Sequence, residues 1–262
     1  MTKIWIVDAF TDIAYRGNPA AVMIVDEFPL TMLQIAKEMN LSETVFVKPL
    51  GGNRFHIRWF TPKNEVKLCG HATLATAHIL TTENFILSDN IIFDSLSGEL
   101  SVIKKSDSYS LDFPLQKVGQ NLSIEPYKKA FQLKDEITEV VKAFDDVLVL
   151  VNNEDILKEL TPDFSKLLEI DARGVIVTAH SSNYDFISRF FAPKSGVNED
   201  PVTGSAHCKL ADYWSKKLNK KELLAYQASE RGGIIKIFVN DERVILNGKA
   251  VTILEGKWLV NI

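Results

Sequence analysis

Arg58-Trp59-Phe60-Thr61-Pro62-Lys63 returns later in the chain as Arg189-Phe190-Phe191-Ala192-Pro193-Lys194. The offset, 189 − 58 = 131, is half of the 262-residue length. It also lays Phe55 over Phe186 and Val45-Phe46-Val47 over Ile176-Val177-Thr178. After a small insertion the offset becomes 204 − 70 = 134, pairing Gly70-His71-Ala72 with Gly204-Ser205-Ala206 and Gly98 with Gly232. Echoes that keep their order across a single insertion mark an internal duplication. The chain therefore reads as two halves, 1–115 and 116–262, divided within Pro114–Pro126, a stretch with Gly119 and Gln120 at its centre. The last strand is left free to cross back to the first half.

Around the repeat, Val7, Ala20 to Val25, Thr44 to Val47 and Phe55 to Phe60 lie in short β-branched and aromatic runs that predict strands. Leu30 to Met39 has helical spacing and a stop at Asn40. The segment 71–83 predicts a helix apolar on nearly every side, hence buried. Its counterpart, 204–218, turns Ala206, Leu210, Ala211 and Trp214 inward and ends in Lys216 and Lys217, which suit a helix C-terminus. Strands are expected again at Ile91–Phe93, Leu100–Ile103 and Ser110–Phe113, and in the second half at Ile234–Val239, Val244–Leu246 and Trp258–Val260. Each half reads as strands wrapped around one central helix, an α+β fold.

Composition narrows the function. With 46% hydrophobic and 24% charged residues the chain has ample material for a core. A net charge of −4 offers no basic field for nucleic acid or an anionic membrane. Met1 to Phe10 is too short and too charged for a signal peptide, and no apolar run is long enough to span a bilayer, so a cytoplasmic protein is expected. Two cysteines, Cys69 and Cys208, make no disulfide framework. The histidines at 56, 71, 78, 180 and 207 have no metal-ligand spacing, and there is no nucleotide-binding glycine motif, Walker loop or nucleophile elbow. No cofactor, metal, nucleic acid or membrane partner is expected.

What stands out is the polar content of the two helix starts. The first reads Lys67-Leu68-Cys69-Gly70-His71-Ala72-Thr73, the second Asp200-Pro201-Val202-Thr203-Gly204-Ser205-Ala206. Unpaired N–H groups and a positive dipole end suit a carboxylate or enolate oxygen at such places. Ser42-Glu43-Thr44 adds a carboxylate at the head of an apolar strand, where Leu41, Val45 and Phe46 are expected to shield it from water. His71, in a first helical turn, is expected to be held neutral by the dipole. Taken alone, Glu43 also fits a solvated turn, Asp200 a loop brace beside Pro201, and Asn18 a turn residue. Arg58 and Arg189 recur as scaffold.

These motifs, with Gly17-Asn18-Pro19 and Phe60-Thr61-Pro62, resemble the phenazine-biosynthesis PhzF-like family, within the diaminopimelate epimerase-like fold group. The resemblance implies two pseudosymmetric barrel-like halves with an interdomain site, and a homodimeric, metal- and cofactor-independent isomerase acting on a small carboxylated metabolite. It implies Glu43 as the acid–base shuttle, with His71 and Asp200 as further catalytic residues. It implies Asn18, Ser42, Gly70, Thr203, Gly204 and Ser205 as substrate-binding. Cys69 occupies a position used by thiol bases in related epimerases and racemases, but its duplicate is Thr203, which disfavours a two-thiol mechanism. The alternatives are an epimerase or racemase using Cys69 and a non-catalytic small-molecule-binding protein. The substrate itself is not legible in the sequence.

Overall fold

The duplicated hexapeptide lies at the end of two strands with the same register. In the computed structural model, which describes residues 2–260, Arg58 stands opposite Phe46 and Arg189 opposite Val177. Both members of the second pair lie 131 residues beyond those of the first.

The first unit comprises Met1–Phe113 and Ile245–Ile262, the second Pro114–Val244. The chain's last segment belongs with the first unit. The first unit runs β1 (Thr2–Ala9), β2 (Asn18–Ile24), α1 (Met32–Met39), β3 (Glu43–Gly51), β4 (Arg54–Phe60), β5 (Glu65–Val66), α2 (Gly70–Thr82), β6 (Asn90–Ser95), β7 (Gly98–Lys105) and β8 (Ser108–Pro114). The second continues with α3 (Glu125–Phe131), β9 (Ile137–Ala143), β10 (Asp146–Val151), α4 (Glu154–Glu159), α5 (Phe164–Glu169), β11 (Val175–His180), β12 (Phe186–Phe191), α6 (Gly204–Leu218), β13 (Glu222–Gln227) and β14 (Gly233–Asn240). β15 (Arg243–Gly248) straddles the division, and β16 (Ala250–Trp258) closes the described chain.

Strand pairing repeats between the units. β1–β2 is antiparallel, β2–β3 parallel, β3–β4 antiparallel, β4–β6 parallel and β6–β7 antiparallel. The series β9–β10, β10–β11, β11–β12, β12–β13, β13–β14 follows the same alternation. A strand order with alternating parallel and antiparallel joints needs crossovers, and α1, α2 and α6 supply three of them.

α2 carries the burial its sequence predicts: every residue from His71 to Ala77 is buried, as are Ile79, Leu80 and Thr81, and it packs on β1, β2, β3, β7 and β16. Its threonines enter the core without orphaned hydroxyls, since Thr73, Thr76 and Thr81 donate to the carbonyls of Cys69, Ala72 and Ala77. α6 buries Ala206, Leu210, Ala211 and Trp214 and ends at Asn219, whose left-handed backbone (φ 51°) closes the helix.

The scaffold arginines also repeat their contacts. Arg58 grips Glu65 through two bonds of 2.7 Å, and Arg189 grips Glu199 at 2.7 and 2.8 Å. Each guanidinium also lies over the phenylalanine two positions on, Phe60 or Phe191.

One expectation changes. The strand placed at Trp258–Val260 occupies Ala250–Trp258, because it pairs along the whole of β1 from Thr2↔Trp258 to Ala9↔Ala250. The linker is bound along β9: Gly119 donates to Lys142, Lys142 to Gln120 and Leu122 to Val140. Among the described residues no helix is long and apolar enough to cross a membrane.

Candidate active site

Three segments of the first unit bring their polar side chains together. Gly17 has φ +68°, and a β-carbon there would stand 2.2 Å from the Ala9 carbonyl oxygen, so only glycine makes the turn that delivers Asn18 to the head of β2. Glu43 is the first residue of β3, paired in parallel with Ala20. Cys69 precedes α2 in extended backbone, which places Gly70 and His71 in the helix's first turn.

His71 is the hub. Its Nε2 is 3.0 Å from Glu43 Oε2, and its Nδ1 is 3.2 Å from Asn18 Nδ2 and 3.5 Å from Cys69 Sγ. The imidazole is 5% exposed and the glutamate side chain 16%, so the carboxylate is largely shielded yet still reachable. Asn18 is fully buried behind the ring. Ser42 is half-buried just before Glu43.

The electrostatics follow from that packing. Burial pushes the Cys69 thiol up, and the Glu43 carboxylate pushes it further, so sulfur stays protonated at neutral pH. For His71, burial pulls the imidazole down, but the sulfur of Cys69 and the charge of Glu43 outweigh it and hold its pKa well above the ordinary 6.5. With the thiol neutral, Glu43 is the charge we credit. The helix dipole does not win here: the contacts with Cys69 and Glu43 raise the imidazole above its ordinary value.

Glu43, Cys69 and His71 offer ligand atoms that all lie within 4.8 Å of one another, a donor set of the kind that holds zinc. Glu43 meets the ring at Nε2 and Cys69 at Nδ1.

In the second unit the matching segment is tied differently. Thr203 Oγ1 donates to Asp200 Oδ2 at 2.5 Å, and the Asp200 carbonyl accepts from Gln227 Nε2 at 2.7 Å. Gln227, fully buried, also accepts from the Thr203 backbone N–H at 2.8 Å. Asp200 is therefore at least a loop brace. Gly204 is buried and Ser205 half-buried at the start of α6. Neither Cys69 nor Thr203 caps its helix with a side-chain hydrogen bond, which leaves first-turn N–H groups for another acceptor.

A family model described as phenazine biosynthesis-like protein matches residues 7–256. The chain belongs to the PhzF-like family. A protein of Halalkalibacterium halodurans named as an uncharacterized isomerase is 48% identical over 264 residues, covering 99% of each chain. The crystal structure of a PhzF-family protein of Enterococcus faecalis superposes with a TM-score of 0.94 at 42% identity, over 99% of both chains. A hydroxyproline epimerase of Agrobacterium vitis, covering 97% of this chain and 90% of its own, shares the fold at a TM-score of 0.67 with 10% identity. The α+β fold read from the duplication, in the epimerase-like form that the resemblance implied, is thus the fold of this PhzF-like chain.

Sequence reasoning missed three residues around the start of α6 in this PhzF-like chain. Gln227 clamps the Asp200–Thr203 loop from β13, and Arg173 reaches Ser205 Oγ at 3.1 Å. Both contacts join residues far apart in the chain, and neither residue sits in a motif. Lys209, only 1% exposed beside Asp145 and Asp146, reads in the sequence as an ordinary solvated helix position.

Proposed function

We propose that the chain is an isomerase that moves a proton between carbons of a small carboxylated metabolite, with Glu43 as the acid–base shuttle. The observation that carries this is the largely buried Glu43 carboxylate held 3.0 Å from His71. Such a shift needs one group that takes a carbon-bound proton as a base and returns it to another carbon as an acid. No electron is gained or lost, so the step calls on no redox partner. The imidazolium of His71 stabilises Glu43 while it is an anion. As Glu43 takes up the proton that stabilisation falls away, which favours its return.

The negative charge that builds on the substrate needs donors, and the first-turn N–H groups of the central helices suit it. In this proposal Gly70 serves on α2, and Thr203, Gly204 and Ser205 hold the substrate carboxylate at α6. Asn18 sets the imidazole, Ser42 sets Glu43, and Asp200 contributes polarity while bracing its loop. A homodimeric cytoplasmic protein completes the proposal.

The alternative base is Cys69, which touches His71 Nδ1. Burial and Glu43 both raise its thiol pKa, which disfavours thiolate formation. A screen of small carboxylates in D₂O with mass spectrometry tests both. For any compound that gains deuterium, Glu43→Gln should lower the rate by about 10²- to 10⁴-fold, while Cys69→Ser should keep it. The opposite pattern would move the chemistry to Cys69, and binding with no exchange into any compound would make the protein a binder.

A further inference from the structure

In the second unit the place of the shuttle cannot hold an acid. The offset of 131 carries Glu43 to Gly174, where a β-carbon would stand 2.4 Å from the Phe190 ring and 3.1 Å from the Phe191 carbonyl oxygen. Next to it, Arg173 lies over Phe190 and forks onto Asp146, with Nε at 3.0 Å and Nη2 at 2.6 Å. The same Nη2 donates to Ser205 Oγ at 3.1 Å. Asp146 is fully buried and also accepts from Lys209, whose ammonium in turn bonds Asp145 at 2.6 Å. Arg173 thus ties a buried charge cluster to the residue that stands, at the offset of 134, where the first unit has His71.

A guanidinium only donates. The Ser205 oxygen must therefore accept from Arg173, and its own hydrogen is left to be given elsewhere. Arg173 is the side-chain partner that the structure gives that hydroxyl. Arg173 and Lys209 are matched in charge by Asp145 and Asp146, so orientation, and not net charge, is what the cluster lends to Ser205.

We propose that Arg173 is a positioning residue that locks the Ser205 hydroxyl as a donor at the start of α6, turned toward an acceptor oxygen of the substrate carboxylate. This rests on the assignment of the α6 start to the substrate carboxylate. It divides labour between the duplicated halves: the first keeps the acid and the histidine, the second keeps a fixed donor.

The test is an amide NMR titration of the full-length protein at Ser205 with sodium benzoate and with benzamide. In the wild type benzoate, with two charged acceptor oxygens, shifts the Ser205 signal at lower concentration than benzamide, which has one neutral acceptor. Arg173→Lys retains a cation for Asp146, but one ammonium does not reproduce the planar fork that spans Asp146 and Ser205. It should weaken benzoate by about tenfold, as should Ser205→Ala, consistent with a hydrogen bond to a charged group. The double variant should be no weaker than Ser205→Ala alone. Should Arg173→Lys fail to fold, Arg173→Gln with Asp146→Asn gives the same comparison at balanced charge. Additive losses in the double variant, or unchanged binding by Arg173→Lys, would overturn the positioning role alone. No benzoate response at Ser205 in the wild type would remove the carboxylate site itself, and this proposal with it.

Discussion

His71 Nε2 stands 3.0 Å from Glu43 Oε2, although one residue sits in the first turn of α2 and the other begins β3. Each determines how the other behaves: the carboxylate keeps the buried ring cationic, and the ring keeps the carboxylate from being a lone charge away from water. The proposed chemistry depends on this exchange, and the pair can be probed without a substrate.

Glu43→Gln removes one of the two groups that hold the imidazole up, the other being Cys69, and leaves burial, which pulls it down. The His71 pKa should fall. The raised wild-type value also fixes a sign. A histidine that binds its proton more tightly in the fold contributes stability fully below pH 6.5, and that contribution is lost as pH rises through its folded pKa. Histidine ring NMR across pH 5–9 on wild type and variant checks both points. An unchanged titration in Glu43→Gln would mean that Glu43 is not the partner that matters.

His207 has the opposite sign. Burial lowers it to about 4, and its ring Nδ1 lies 2.8 Å from the Thr203 carbonyl oxygen. The unfolded chain takes up this proton near pH 6.5 while the fold refuses it until about pH 4. Stability is therefore lost as pH falls through that window, by on the order of 3 kcal/mol from this residue. Urea midpoints measured at pH 7, 5.5 and 4.5 should fall less steeply for His207→Gln than for the wild type. Equal slopes would dismiss His207 as an acid-sensitive element.

The duplicated strand pairs and both central helices were legible because burial on every side, or on alternate sides, writes itself into composition. The segment from Tyr127 to Ile170 was not. β9 breaks strict alternation, burying Val140 and Val141 side by side, and α4 and α5 are six residues each, too short for a period. Their starts are set by caps, with Asn153 accepting from Ile156 N and Asp163 from Ser165 N and Lys166 N. At the site, Glu43 and His71 could be named from motifs, but their contact could not. Arg173 and Gln227 act through partners 32 and 24 residues away, a distance over which one sequence carries no signal.

Gln227 should prove a structural keystone. Gln227→Ala strips a partner from the buried Thr203 N–H and from the Asp200 carbonyl. An unsatisfied buried group costs about 1–3 kcal/mol, so the variant should lose at least that much in chemical denaturation. It should also speed amide exchange at Thr203. Wild-type stability and exchange would show that the loop holds without it.

Gly174→Ala tests whether the second unit has closed the place that Glu43 occupies in the first. A β-carbon 2.4 Å from the Phe190 ring must displace a side chain on which Arg173 also rests. Overpacking of this kind costs about 1–3 kcal/mol. Gly119→Ala is the control, because its β-carbon meets nothing nearer than 3.6 Å and its backbone is not left-handed. Equilibrium unfolding should separate the two, with Gly119→Ala close to wild type and Gly174→Ala clearly weaker. In the weaker variant the displaced Phe190 should also loosen the Arg173–Ser205 bond, so the Ser205 amide should shift without any added ligand. Equal stabilities would mean that the pocket at 174 has room for a side chain and that the loss of the acid there was not forced by packing.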